Sequence, residues 1–86
     1  MRVLFEPHFR LRMAQRDVTQ SEVEEVISDG VDFKAKKGRK GRFKVYPFNK
    51  LHGVKIYPQR KIEVIYIQEN DTIITVTLFV YFGKWS

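Results

Sequence analysis

The spacing of apolar side chains divides the chain into a helical first third and a strand-like remainder. Phe9 and Met13 lie four residues apart, and nothing from Pro7 to Arg16 breaks a helix. Pro7 suits a first helical turn, where its missing N–H costs nothing. Val23, Val26 and Ile27 form a second apolar stripe at helical spacing. The preceding Thr19-Gln20-Ser21-Glu22 is a capping box, and Val18 with Val23 makes a hydrophobic staple around it. Gly30 stands where a left-handed C-terminal residue belongs, so the second helix is expected over about 20–29. After Asp32 the period shortens to that of strands. Arg42 to Tyr46 reads as a strand that Pro47 ends or marks as an edge, and Asn49-Lys50 as a turn. Leu51 to Tyr57 reads as a further strand, weakened by Gly53 and closed by Pro58. Lys61 to Gln68 (KIEVIYIQ) and Thr72 to Tyr81 (TIITVTLFVY) form the strongest pair, joined by a turn at Glu69-Asn70-Asp71. Both faces of the last strand carry large apolar or Thr side chains, which places it inside the sheet. Arg2 to Phe5 is an edge strand or an extended lead-in, and Phe33 to Lys37 is a candidate first strand of the meander.

Helices followed by strands give an α+β class. The expected architecture is two N-terminal helices packed on a four- to five-stranded, mainly antiparallel sheet in two layers. At 86 residues, the span 1–86 is one domain with one modest core. Hydrophobic content of 43% with 14% aromatics is ample for that core.

Charge changes the picture more than composition does. The net charge of +6 is unevenly spread. Six of the ten acids (Asp17, Glu22, Glu24, Glu25, Asp29 and Asp32) fall between residues 17 and 32. From Lys34 to Lys61 there are eleven Lys or Arg and no Asp or Glu, with Phe43, Tyr46, Phe48 and Tyr57 among them. The expectation is an acidic helix on one side and a basic sheet on the other, the second attracting a polyanion, with RNA the first choice. Lys37, Arg39, Lys40, Arg42, Lys44, Lys55, Arg60, Lys61 and Lys84 are the candidate RNA-binding residues. Arg39, Arg42 and Arg60 lead among them because guanidinium holds phosphate in bidentate fashion. The plainer alternative is a solvated basic surface whose Lys side chains blunt sheet edges.

The chain has no cysteine, which removes disulfides and thiolate chemistry. Two histidines, His8 and His52, are too few for an all-histidine zinc site, and a mixed His/carboxylate site stays open but has no recognisable spacing, so no metal or other cofactor is expected. The longest apolar stretch, Ile73 to Phe82, is about half the roughly 20 residues of a membrane span. The N-terminal residues lack a signal-peptide pattern. A soluble, cytoplasmic protein is expected.

His8, Arg12 and Arg16 recur at intervals of four and share one helix face. Two readings are open. His8 can exchange a proton near neutral pH while the arginines hold phosphate, or the arginines pair with Glu22, Glu25 or Asp29 of the acidic helix. Tyr46, Tyr57, Tyr66, Tyr81 and Trp85 are either packing residues or platforms for unpaired bases. His52, beside Gly53, reads as a surface loop residue.

The run His8-Phe9-Arg10-Leu11-Arg12-Met13-Ala14-Gln15-Arg16-Asp17-Val18-Thr19 resembles the opening of a small bacterial and archaeal family of unknown function in the RelE/ParE toxin superfamily. That opening reads His, three residues, Arg-Met, two residues, Arg, then Gly-Ile-Thr or a similar helix start. Here Asp17-Val18 stands in place of Gly-Ile. Gly38 to Lys44 and Ile73-Ile74-Thr75-Val76-Thr77 are similar to later parts of the pattern. The resemblance implies a compact RelE-like fold. It also implies descent from metal-independent endoribonuclease toxins, in which a ribose 2′-OH attacks the adjacent phosphate and the protein supplies charge stabilisation and proton transfer. On that reading His8, Arg12, Arg16, Tyr66 and Tyr81 are the catalytic candidates, and an antitoxin protein is a candidate partner of this toxin–antitoxin type. The ParE branch acts on gyrase and cleaves no RNA. The alternative is therefore a non-catalytic module that binds a protein or nucleic acid.

Overall fold

A capping box, a proline and two stripes of apolar residues build the helical layer. In a computed structural model, which describes residues 2–85, α1 spans Pro7–Gln15 and α2 spans Gln20–Asp29. Both halves of the capping box are present. Glu22 N donates to Thr19 Oγ1 at 3.1 Å, and Thr19 N donates to Glu22 Oε1 at 2.9 Å. The staple residues Val18 and Val23 are both buried. Between the helices the chain turns at Asp17, which adopts φ 56°. Val18 N donates to Met13 O and Asp17 N to Ala14 O. This is a Schellman ending with its usual apolar contact, since Met13 and Val18 are both buried. Aspartate occupies the left-handed position that glycine normally takes.

Gly30 departs from expectation. Its φ is −74° and its ψ 170°, so it is extended and not left-handed. Glycine is needed there for space: a Cβ would lie 2.3 Å from Val26 O and 2.8 Å from Phe43 O.

The sheet has five strands in the order β1-β5-β4-β3-β2. β1 (Arg2–Leu4) is an edge strand parallel to β5 (Thr72–Gly83), and the other pairings are antiparallel. Thr75 holds the N-terminal lead-in to β5. Its hydroxyl donates to Leu4 O at 2.8 Å and accepts from Glu6 N at 3.2 Å. The opposite edge is β2 (Val31–Lys34).

β3 (Lys40–His52) and β4 (Lys55–Glu69) are each single long strands. The sequence suggested breaks at Pro47, at Asn49-Lys50 and at Pro58, and the strands run through all three. The register explains how. Pro47 pairs with Gln59 and Lys50 with Tyr57, so Phe48 and Asn49 bulge opposite Pro58. Pro58 has no N–H to offer at the one place where the ladder is already interrupted. The turn lies instead at Gly53-Val54, between His52 and Lys55. Gly53 takes φ 67°, as the first central residue of a II′ hairpin requires. The result is an arm that continues the β3–β4 hairpin beyond the body of the sheet.

A second bulge explains the doubly apolar look of β5. Ile65 pairs with Thr77 and Tyr66 with Thr75, which leaves Val76 as the extra residue. The inward-facing set shifts there from Ile73 and Thr75 to Leu78 and Val80. These residues, with Ile62, Val64 and Tyr66 of β4, pack against Phe9, Met13, Val23, Val26 and Ile27 of the helices. Both helices cover this face, and among the described residues the other face of the sheet carries no helix.

Candidate nucleic-acid interface

Alternation along β3 and β4 decides where each cation of the basic stretch points. Arg42, Lys44 and Arg60 fall in register with the buried Val64, with Ile62 and with Tyr46, so they lie on the helix side. There they meet the acidic helix. Arg60 Nη2 lies 2.5 Å from Glu22 Oε2, and its Nη1 donates to Asp17 O at 3.1 Å. Lys44 Nζ lies 3.0 Å from Glu25 Oε1, and the Tyr46 hydroxyl donates to the same oxygen at 2.8 Å. Arg42 pairs with Asp32 at 2.8 Å and donates to Ile27 O at the end of α2. The side chains of Arg60 and Glu22 are only 13% and 24% exposed, so this pair is shielded where Arg42–Asp32, at 31% and 78%, is not.

The contacts shift the pKa of Glu25, Tyr46 and Arg42. Hydrogen bonds from Lys44 and then Tyr46 hold the Glu25 carboxyl below its ordinary value. Desolvation and then the hydrogen bond to Glu25 push the Tyr46 phenol well above its ordinary value. The bond to Asp32 raises the already high pKa of Arg42. Three of the candidate RNA-binding cations are thus engaged as bridges between the layers. Two of the acidic partners foreseen for Arg12 and Arg16, Glu25 and Glu22, are taken by Lys44 and Arg60 of the strands. Among the described residues Arg16 forms no ion pair, and Arg12 Nε is buried without a hydrogen-bond partner.

The open face has a different character. Phe33, Phe43, Ile65, Phe79, Tyr81 and Trp85 lie on or beside it, with Phe79, Tyr81 and Trp85 at least 40% exposed. Phe79 and Tyr81 stand side by side with ring centroids 6.5 Å apart and planes 29° from parallel. Phe33 lies flat over Gly41, where a Cβ would come within 2.5 Å of its ring. Lys61 Nζ sits among three rings, 5.3 Å from Phe43, 5.5 Å from Tyr81 and 5.3 Å from Trp85. It also pairs with Glu63 at 3.4 Å. Trp85 is fixed by its backbone N–H, which donates to Gln59 Oε1 at 2.6 Å.

At the β2 end of this face a groove of about 370 Å³ brings Phe33, Phe79 and Tyr81 together with Lys34, Lys36 and Arg39. Lys34 ends β2, and Lys36 and Arg39 come from the β2–β3 turn, where Lys37 and Gly38 take positive φ of 60° and 71°. Arg39 and Lys37 are exposed in that turn, and Lys40 Nζ donates to Gln68 Oε1 at 3.2 Å. Lys84 is exposed beside Trp85, and Lys55 lies near the arm tip with its ammonium 5.5 Å from the Tyr57 ring. Flat rings flanked by unpaired cations can hold a single strand by stacking and by phosphate contacts.

The five catalytic candidates do not converge. His8 is exposed in the first turn of α1, and Arg16 lies eight residues on, about 12 Å along the axis. Tyr66 is 2% exposed beneath the helices, and burial raises its phenol pKa. Tyr81 is on the opposite face. Sequence reading passed over His52. Its ring stacks on Phe82 at 3.8 Å, and both line a cleft with Arg16 and Arg60. The signal for this was weak, because it depends on the arm being one continuous hairpin. Among the described residues no group of three or more His, Asp or Glu side chains is placed to hold a metal ion. No helix of the described residues is long and apolar enough to cross a membrane.

The fold and this surface define a class: a two-layer α+β protein with one helix-covered face and one aromatic face with a basic rim. No family model matches the chain, and no curated protein or solved structure matches it either.

Proposed function

We propose that the protein binds single-stranded RNA on its open sheet face, as a relative of the RelE-type toxins. The observation that supports this most is the open-face groove, where Phe33, Phe79 and Tyr81 share a lining with Lys34, Lys36 and Arg39. Bases stack on the rings while the turn cations take the phosphates. Among the described residues Glu63 is the single acid in the groove lining, and Lys61 pairs with it. Double-stranded RNA has no free base faces to offer and binds more weakly.

Stacking is worth about 1–3 kcal/mol per base, so Tyr81→Ala should weaken binding roughly 5- to 150-fold. Fluorescence anisotropy of a labelled oligonucleotide measures this, with Trp85 emission as an internal reporter. Equal affinity for a duplex of the same length, or no loss in Tyr81→Ala, sinks the reading. Metal-independent cleavage is the further step that a RelE-like descent carries with it. Of the catalytic candidates only Tyr81 shares the platform, beside Lys61. Induced expression tests cleavage: arrested growth with shortened mRNA supports it, and intact mRNA in growing cells removes it. Tyr81→Phe and His8→Ala variants, run beside the parent, separate a role on the platform from one on α1.

A further inference from the structure

The cleft on the helix side of the sheet is separate from the open-face groove and independent of the RNA reading. It lies where the end of α1 faces the arm, has a volume of about 330 Å³, and is lined by Arg16, Asp17, Phe48, His52, Arg60 and Phe82 among others. That volume is at the small end of the roughly 300–1,000 Å³ typical of small-molecule sites. One wall is aromatic. His52 and Phe82 are stacked at 3.8 Å, and Phe48 meets Phe82 at 5.0 Å. The rest of the lining includes charged groups. Arg60 is held rigidly by Glu22 and Asp17 O, so its own charge is neutralised. Arg16 is not: it lines the cleft and has no ion pair among the described residues. Glu22 is committed to Arg60, and Asp17 is the acid in the lining, so Arg16 is the cation of the lining that no ion pair among the described residues engages. A free guanidinium facing an aromatic wall across a space of this size fits a small planar anion.

We propose that this cleft binds an aromatic ring bearing a phosphate or a carboxylate. The ring lies against Phe48 and the His52–Phe82 stack, and the anionic group is held by Arg16. Arg60, already paired, positions the Asp17 turn that forms the floor.

Titration of the intact chain with uridine 5′-monophosphate, benzoate, uridine and inorganic phosphate tests the proposal, read by NMR at the His52 ring and the Gln15 and Asp17 amides. The expected result is saturable shifts with the monophosphate or with benzoate. The tighter of the two identifies the anionic group. Shifts confined to the Trp85 indole would mean that the nucleotide occupies the platform alone, and would overturn the proposal. Equal affinity for uridine overturns the role of charge, and equal affinity for inorganic phosphate overturns the role of the ring. Arg16→Gln should weaken binding about tenfold or more, the scale of a lost charge-assisted hydrogen bond, and leave RNA anisotropy unchanged. Asp17→Asn should tighten binding by removing the opposing carboxylate. Phe48→Leu, which keeps an apolar wall without the ring, should weaken it. Unchanged affinity in both Arg16→Gln and Phe48→Leu overturns the site.

Discussion

Replacing Asp17 with glycine should stabilise the domain, although it removes a charge and every side-chain atom at that position. Asp17 holds φ 56° in the Schellman ending of α1. For an L-residue that conformation brings Cβ against the following carbonyl, at about 1–2 kcal/mol, with Asp toward the lower end. Its carboxylate also sits at the negative end of the α1 dipole, an unfavourable placement worth roughly 0.3 kcal/mol or more. Glycine removes both terms and adds unfolded-state freedom worth about 0.5 kcal/mol. The net is a gain of about 1 kcal/mol, which for a domain of this size raises Tm by roughly 4–8 °C. The bond from Arg60 to Asp17 is unaffected, because it goes to the backbone oxygen. Thermal and urea unfolding of Asp17→Gly and Asp17→Ala measure the effect. Alanine keeps the Cβ in the left-handed conformation while removing the charge, so it should gain far less than glycine. If alanine matches glycine, the charge and not the backbone was the source. If glycine fails to stabilise at all, the conformational reasoning is wrong.

Other outcomes follow from the same geometry. Gly30→Ala should lose about 1–3 kcal/mol, because its Cβ meets two carbonyl oxygens and overpacking of this kind is costly; urea midpoints will show whether the turn yields more easily. Leu78→Ala, at a position with no exposure, should lose about 2–5 kcal/mol by the same assay. Glu25 has a depressed pKa, so its contribution is present above 4.5, its ordinary value, and is lost as pH falls through the lower folded value. Glu25→Gln should therefore flatten the fall of Tm below about pH 4.5, and a fall as steep as that of the parent protein would falsify this assignment. For RNA affinity, Lys36→Gln and Arg39→Gln should each lower the salt slope by about 0.7, the single-strand value per phosphate contact. Arg42→Gln, whose guanidinium is bound to Asp32 and Ile27 O, should leave that slope unchanged and lower stability instead.

Much of the fold was legible because its signals are local. The capping box at Thr19, the staple of Val18 and Val23, and the four-residue spacing of Phe9 and Met13 act within a turn or two of chain. The two prolines misled because their effect depends on a partner strand. Pro58 looks like a strand end until Phe48 and Asn49 are seen to bulge opposite it. The same limit hid the His52 cleft, which exists only once the arm brings Phe48 and His52 beside Phe82, Arg60 and the end of α1. Gly30 was recognised as a helix stop for a reason that is not the operative one, since crowding by Phe43 O is invisible before β3 is placed. Charge was the hardest to read. A count of cations between residues 34 and 61 cannot tell which of them face Glu22, Glu25 and Asp32, because strand alternation and sheet order together decide that.

The pairing of β1 with β5 places a constraint on how the protein is made. Arg2 lies beside Thr72, 70 residues later in the chain, and Thr75 is what holds Leu4 and Glu6. At a synthesis rate of roughly 5–20 residues per second, the N-terminal strand waits about 4–14 s for its partner to be made. Through that interval the helices and the β2–β3–β4 meander can assemble, but the first strand has nothing to pair with. The sheet is therefore completed only once β5 has been made, and the pairing of β1 with β5 is a late event.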